Sequence, residues 1–229
     1  VMAELADGVG LLFAGDASAS LHGKFEADAN FVYLTGLRDE PGAVILLDPR
    51  NENPRRRSML FLKPRDPDLE VWDGYRDSLS ERLESKYGFD SVTRTTSLPR
   101  FLTQALRLRR KAVCLHPFSS YNAPVSDDLA MFRKVAERML GVSITDKAQL
   151  LAEMRSIKSP SELSLMRKAA AATARGYDAV ISVIRNGATE RDVQLTLEAA
   201  FLAGGASGTA YNTIAGSGLN STVLHYHAN

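Results

Sequence analysis

The sequence predicts an α/β fold with a largely parallel or mixed sheet, because short apolar runs alternate with amphipathic stretches in its first half. Apolar runs of strand length, typical of strands buried on both faces, occupy residues 9–14, 43–48, 58–62 and 112–115. Helical spacing of leucines and aromatic residues is found at 79–87 and 98–109. The polar, proline-bearing stretch 49–57 predicts a hairpin loop between two of the strands.

Long helices replace this alternation in the second half. Residues 125–140 and 146–155 have helical spacing, and Ser159, Pro160 and Glu162 then form a helix start with a capping box. The helix that follows is predicted to carry one apolar stripe, formed by Leu163, Met166, Ala170, Tyr177, Ile181 and Ile184.

A second long helix is predicted to open at Thr189 and to end at Gly204. Two long helices in succession differ from the alternating strands and helices upstream. We therefore expect a domain boundary near residue 150, which divides the chain into domains 1–149 and 150–229.

Composition and charge narrow the class of protein. Hydrophobic residues make up 45% of the chain and charged residues 24%, which are ordinary values for a globular protein in water. A net charge of +1 provides no general attraction to nucleic acid or to an anionic membrane, so neither is expected as a partner. No signal peptide or membrane span is visible in the sequence. The one cysteine, Cys114, is predicted to be a small buried hydrophobe, which suits a reducing compartment.

The tail of the chain is predicted to form a β-hairpin. Residues 211–215 and 222–227 have strand-like composition and flank a glycine-rich turn. Because alternate residues of a strand face the same side, His225 and His227 could both face one metal ion. The alternative is that one histidine is a hydrogen-bonded wall residue and the other is exposed.

The carboxylates of the second half do not complete a metal site. All of them lie in predicted helices or helix caps rather than on the hairpin: Glu153, Glu162, Asp178, Glu190, Asp192 and Glu198. We therefore assign no metal ligand in this chain. Trp72, the only tryptophan, is interpreted either as a packing residue or as part of an exposed binding surface.

Four segments resemble, in the same order, the signatures of one family. Residues 25–36 (FEADANFVYLTG) are similar to an aromatic-rich strand that ends in Tyr-Leu-Thr-Gly, and 61–76 (FLKPRDPDLEVWDGYR) to an Arg-Asp pair followed by Glu-x-Trp-x-Gly-x-Arg. Residues 154–169 (MRSIKSPSELSLMRKA) resemble a domain junction and the first catalytic-domain helix. Residues 211–229 (YNTIAGSGLNSTVLHYHAN) resemble a hairpin whose Leu-His-Tyr motif lines an active site. Together they resemble the aminopeptidase P family of metallopeptidases, which have the pita-bread (creatinase) fold.

The resemblance implies a creatinase-like α/β domain with a mixed sheet, followed by the opening helices and hairpin of an α+β pita-bread catalytic domain. It implies a metal-dependent aminopeptidase that releases an N-terminal residue preceding proline, and therefore a peptide partner with proline at its second position. It also implies two divalent metal ions, commonly manganese, and a cytoplasmic homo-oligomer, either a dimer or a tetramer. The family's metal ligands follow the Leu-His-Tyr motif, so we expect this chain to be part of a longer protein and to be inactive alone.

Matching the family by position gives candidate site residues. His225 corresponds to an active-site histidine that binds substrate and stabilises the tetrahedral intermediate or the departing proline nitrogen. Trp72 matches a tryptophan that, in tetrameric members, reaches into a neighbouring subunit's site. Asn30 stands where many members have aspartate, which makes it a candidate substrate-binding residue without the usual charge. His227 falls at a variable position of the motif.

Three other functions are compatible with this fold. The first is a prolidase restricted to dipeptides, and the second is a creatinase-like hydrolase that uses the histidine without metal. The third is a pita-bread protein that binds its ligand and catalyses nothing. The metal ligands of the whole protein separate the peptidases from the creatinase-like hydrolase, and an intact His225 argues against the binding protein.

Overall fold

The computed structural model describes residues 1–16, 25–117, 121–122 and 124–229. The chain forms two compact units, Val1–Ser156 and Ile157–Asn229. Within the described ranges, no helix is both long enough and apolar enough to cross a membrane.

A mixed sheet forms the centre of the first unit. In the described part of this unit its strands are β1 Val9–Phe13, β2 Val44–Leu47, β3 Ser58–Leu62, β4 Ser91–Arg94, β5 Lys111–Cys114 and β6 Ser143–Asp146. Their order across the sheet is β4-β3-β2-β1-β5-β6. Strand β2 is antiparallel to β1 and β3, whereas the pairs β1–β5, β5–β6 and β3–β4 are parallel. The predicted mixed α/β sheet is confirmed, including the hairpin loop at 49–57.

Helices pack against both faces of this sheet. They are α1 Met2–Leu5, α2 Ala29–Thr35, α3 Pro67–Asp73, α4 Glu81–Tyr87, α5 Leu98–Arg109, α6 Asp127–Ala136 and α7 Ala148–Ser156. Successive strand residues face opposite sides, so Ile45 joins a hydrophobic core with α2, α4 and α7, whereas Leu46 joins another with α5 and α6. Burial on both faces explains why the strands are continuous apolar runs in the sequence.

The structure corrects the strand prediction for residues 25–36. An aromatic-rich strand is expected there, but residues Ala29–Thr35 form helix α2. The Asp28 carboxylate accepts hydrogen bonds from the N–H groups of Asn30 and Phe31 at 2.9 and 3.0 Å, and Gly36 ends the helix with a φ of 73°. The strand prediction is wrong because the aspartate cap and the terminal glycine outweigh the strand preference of the aromatic residues.

Cys114 is buried in β5, as predicted for a small hydrophobe. Burial raises the pKa of its thiol from the ordinary 9.0 to about 12, and the neighbouring Asp128 carboxylate acts in the same direction. The thiol is therefore protonated at neutral pH, and it is a packing group rather than a nucleophile.

Two long helices dominate the second unit, α8 Pro160–Ile181 and α9 Glu190–Ala203. The predicted capping box is present, since the Ser159 N–H donates to Glu162 at 2.7 Å and the Glu162 N–H donates to Ser159 Oγ at 3.3 Å. The face of α8 that is buried consists of Ala172, Gly176 and Val180, which lie one turn apart.

The predicted apolar stripe of α8 is not the buried face. Its large members on the helix are exposed, namely Leu163, Met166, Tyr177 and Ile181, and Ile184, which lies after the end of α8, is exposed as well. Small residues line the contact instead because the two helices approach closely. A Cβ added at Gly176 would lie 2.4 Å from a ring carbon of Phe201 on α9.

The predicted hairpin of the tail is also corrected. Residues 211–229, all of which the structure describes, contain no strand, and Gly218–Thr222 form a single 3-10 turn. A two-stranded hairpin is marginal without further strands or a helix on its face. The tail instead bonds through side chains to α9, so the two predicted strands do not pair.

Candidate functional site

The three candidate site residues lie on different elements. Asn30 is on α2 and Trp72 is on α3 in the first unit, whereas His225 is in the tail of the second unit. Asn30 is buried, and Trp72 and His225 are exposed.

Asn30 is engaged inside the first unit. Its side-chain oxygen accepts a hydrogen bond from Arg155 Nη1 at 2.6 Å, and its side chain is 6% exposed. This contact ties α2 to α7, and it leaves the amide oxygen little access to a ligand. The geometry favours a packing role for Asn30, and a contact with substrate stays a prediction.

Trp72 projects from a short helix with well-formed ends. Asp66 caps α3 by accepting from the N–H groups of Asp68 and Leu69, and Gly74 follows the helix with a φ of 92°. The Trp72 side chain is 85% exposed, and three neighbouring apolar side chains are exposed as well: Leu69, Val71 and Tyr75. The exposure shows that Trp72 does not pack into the core of the first unit, and a binding role for it stays a prediction.

His225 lies after the 3-10 turn, with its side chain exposed. His227 Nδ1 is 2.8 Å from the backbone oxygen of His225. The expectation that the two imidazoles share one strand face is wrong, because the residues do not form a strand. His227 contacts the backbone of His225, and the His225 side chain is exposed to solvent.

Glu190, the first residue of α9, holds the turn that precedes His225. One of its carboxylate oxygens accepts from the Ser217 N–H at 2.8 Å, the Ser217 hydroxyl at 3.2 Å and the Asn220 amide at 2.8 Å. These bonds, first the one from Asn220, lower the pKa of the Glu190 carboxyl below its ordinary 4.5.

Glu198, two turns further along α9, holds the start of the tail. Its carboxylate accepts hydrogen bonds from the Thr213 hydroxyl at 2.6 Å and from the Gln194 amide at 2.9 Å. These bonds, first the one from Thr213, lower the pKa of the Glu198 carboxyl. The Asn229 amide donates to the backbone oxygen of Thr213 at 2.8 Å, which ties the two ends of the tail together. Two carboxylates therefore fix the segment that carries His225.

The sequence reveals these two carboxylates only as helix residues that cannot complete a metal site. Their partners in the tail lie 15 to 30 residues away, beyond the range of any local pattern. The glycine-rich composition of the turn was the one available signal, and it indicates a hairpin rather than a loop bonded to a helix.

We predict that Glu190→Gln loosens the turn before His225. Because the pKa of Glu190 is lowered on folding, its contribution to the stability of the turn is complete above pH 4.5 and is lost as the pH falls through the lower folded value. Protection of the Ser217 amide from hydrogen exchange, corrected for the intrinsic rate, should fall several-fold in the variant and lose its dependence on acid pH. Asp178→Asn, on the exposed surface of α8, is the control and should leave both unchanged. Unaltered Ser217 protection in Glu190→Gln would contradict the anchoring role.

Whether the chain can hold a metal ion depends on how its His, Cys, Asp and Glu side chains are grouped. In the ranges that the structure describes, no three or more His, Cys, Asp or Glu side chains cluster as metal ligands would. Glu190 and Glu198 are occupied with the tail, and His225 has no carboxylate cluster beside it. The described residues therefore do not form a dinuclear metal centre by themselves.

Two family models match the chain in succession. Residues 1–114 match the aminopeptidase P N-terminal domain, and residues 164–229 match metallopeptidase family M24. The first match covers most of the mixed sheet, and the second covers α8, α9 and the tail.

Individual relatives match most of this chain but only about half of their own length. The Xaa-Pro aminopeptidase of Haemophilus influenzae is 31% identical over 206 residues, 90% of this chain and 45% of its own length. That of Escherichia coli is 30% identical, over 93% of this chain and 48% of its own. The chain thus spans about half the length of the curated relatives that it matches.

Solved structures agree in fold. The Pseudomonas aeruginosa aminopeptidase PepP superposes with a TM-score of 0.80 at 28% identity, over 100% of this chain and 52% of that one. Proline aminopeptidase P II from Yersinia pestis superposes with a TM-score of 0.81 at 26% identity, over 99% of this chain and 53% of that one. With both units matched, in order, by the same family, the chain belongs to the aminopeptidase P family of metallopeptidases.

Proposed function

We propose that the whole protein is a metal-dependent aminopeptidase that releases an N-terminal residue preceding proline. The observation that carries this proposal is the ordered match of both units to one family, together with Xaa-Pro aminopeptidases at about 30% identity over nine-tenths of the chain. We also propose that residues 1–149 are its N-terminal domain and that 150–229 open its catalytic domain. The division of contacts after Ser156 supports a boundary in this region.

His225 is the residue of this chain that we assign to the chemistry. A positioned imidazole can donate a hydrogen bond to the negative charge that develops as a peptide carbonyl is attacked, or to the departing proline nitrogen. The exposed side chain of His225 and the bonds from Glu190 and Glu198 that fix its segment support this role. Such stabilisation needs a donor that is held in place before the reaction begins.

Trp72 is assigned to substrate binding, in the site of a neighbouring copy of the protein. The exposed apolar group on and beside α3 supports this role, because a second copy can cover it. We propose a homo-oligomer, a dimer or a tetramer, on the same basis. Asn30 is the weaker candidate for a substrate contact, since Arg155 already occupies its side-chain oxygen.

Two divalent metal ions, manganese in our proposal, are the cofactor of the whole protein. The match to a metallopeptidase family supports divalent metal. When bound, such ions lower the pKa of a water molecule and make it a nucleophile. No cluster of metal ligands lies in the described part of this chain, and we assign its residues to binding and orienting the peptide. We place the protein in the cytoplasm, where its one buried thiol stays reduced.

An assay of the whole protein tests this function. We expect cleavage of a peptide with proline at its second position, no cleavage of the same peptide with alanine there, loss of activity with a chelator and recovery with Mn²⁺. Hydrolysis of Xaa-Pro dipeptides alone would favour a prolidase instead. Metal-independent hydrolysis of an amidino substrate would favour a creatinase-like enzyme, and peptide binding without hydrolysis would favour a binding protein.

A further inference from the structure

The segment of residues 65–76, which we name the Trp72 segment, has an apolar tip and a polar base. Its tip is formed by α3, and none of the described side chains of that helix is buried. A helix of seven residues is marginal by itself, because short helices do not repay the cost of nucleation. Packing against the core therefore does not fix this helix, and something else must.

Arg65 supplies the missing restraint. Its Nε and Nη2 bond to the two carboxylate oxygens of Glu70 at 3.0 and 3.1 Å, in a bidentate pair that crosses from the start of the segment into α3. Its Nη1 donates to Ser78 Oγ at 3.1 Å, and its guanidinium carbon lies 4.8 Å from the ring centroid of Tyr75. One planar guanidinium thus joins the residues before, within and after the helix.

The acidic partner is well covered. The Glu70 side chain is 10% exposed, although every other described side chain of α3 is largely exposed. The hydrogen bonds from Arg65 lower the pKa of Glu70 and raise that of Arg65, so both groups are charged at neutral pH. The charges that the bidentate pair requires are therefore present at neutral pH.

Other contacts hold the base of the segment to the sheet. Arg76 Nη1 lies 3.9 Å from a carboxylate oxygen of Glu40, and Arg94 donates to the backbone oxygens of Lys63 and Asp77 at 3.0 and 2.6 Å. These contacts locate the two ends of the segment, and the Arg65–Glu70 pair adds a restraint on α3 itself. Trp72 has no packing of its own to set its position.

We propose that Arg65 is a positioning residue that holds α3, and with it Trp72, in the geometry that binds substrate. This inference rests on the substrate role that the proposed function gives to Trp72. Arg65 touches no reacting atom in this scheme, and it acts through Glu70 and Tyr75. Because Trp72 would bind the peptide away from the bond that breaks, loss of its position should raise KM more than it lowers kcat.

The test uses four variants of the whole protein, with two measurements on each. Arg65→Ala should speed hydrogen exchange of the α3 amides, such as Gly74 N–H, several-fold, and should raise KM for an Xaa-Pro peptide roughly tenfold with kcat little changed. The double variant Arg65→Glu with Glu70→Arg keeps an ion pair of reversed polarity. It should recover most of the protection from exchange and most of the original KM. Arg55→Ala removes another arginine–carboxylate pair, in which Arg55 Nη2 bonds both carboxylate oxygens of Glu84 at 2.8 Å; both residues lie outside the segment, so this control should change neither measurement. Trp72→Ala should raise KM by at least as much as Arg65→Ala.

The two measurements separate the possible failures. Unchanged exchange of the α3 amides in Arg65→Ala would overturn the positioning role. Faster exchange with unchanged KM, while Trp72→Ala raises KM, would overturn its link to substrate binding. If Trp72→Ala itself leaves KM unchanged, the substrate role of Trp72 fails and the inference falls with it, even though Arg65 holds the helix.

Discussion

Replacing His225 by alanine in the whole protein is expected to lower kcat/KM for an Xaa-Pro peptide by about 10²-fold or more, with metal content unchanged. Removal of one preorganised donor to developing charge costs about 2.7–4 kcal/mol in comparable sites. Metal content should not change because the proposed function makes His225 a substrate contact and assigns the metal ligands to other residues, further along the whole protein. Steady-state kinetics and metal analysis on the same preparation check both parts.

His227→Ala is the matched control for this experiment. His227 is two residues away and also exposed, but its ring contacts the backbone oxygen of His225 rather than pointing independently at solvent. Its removal should lower kcat/KM several-fold at most. Loss of metal in His225→Ala would show that His225 is a ligand, and equally mild effects of the two variants would show that the tail is scaffold.

Asp128→Ala is expected to lower the free energy of unfolding of the first unit by about 3 kcal/mol. Asp128 is fully buried at the start of α6, and its carboxylate accepts from the N–H groups of Leu115, His116 and Leu129 at 2.8, 3.1 and 2.8 Å. Leu115 is fully buried as well, so its N–H would be left without this acceptor. Urea denaturation followed by circular dichroism measures the change.

Asp127→Ala is the control for the effect of removing a carboxylate from the first turn of α6. Asp127 precedes Asp128 in the same first turn of α6, but its side chain is exposed. The two carboxylates have a similar position relative to the helix dipole, which contributes less than about 1 kcal/mol at such a site. Equal destabilisation by the two substitutions would mean that the buried hydrogen bonds of Asp128 add nothing beyond the dipole.

The predictable part of the fold is the part that local composition determines. Strands β1, β2, β3 and β5 are buried on both faces, so apolar runs marked them in the sequence. The start of α8 was also predictable, because a capping box is complete within four residues. Segment 25–36 was not predictable in this way, because its aromatic residues also suit a strand, and the helix depends on the Asp28 cap and the terminal Gly36.

The candidate site was less predictable than the fold. His225 and Trp72 were found through resemblance to a family, since neither imidazole nor indole marks a site by itself. The carboxylates that anchor the tail act across long sequence separations, and the tail has strand-like composition without a strand partner. The Arg65–Glu70 pair lies inside one motif, yet its bidentate geometry depends on how the chain turns around α3.

The position of β1 within the sheet has a consequence during synthesis. β1 leaves the ribosome before the other described strands of this sheet, and it can pair with β2 soon afterwards, with Phe13 opposite Val44. Its other neighbour is β5, where Val9 lies beside Ala112, so that edge stays open until most of the first unit has been made. A nascent chain stalled between these two stages would display a wholly apolar strand with unpaired backbone groups, the kind of edge that recruits chaperones or other unfinished chains.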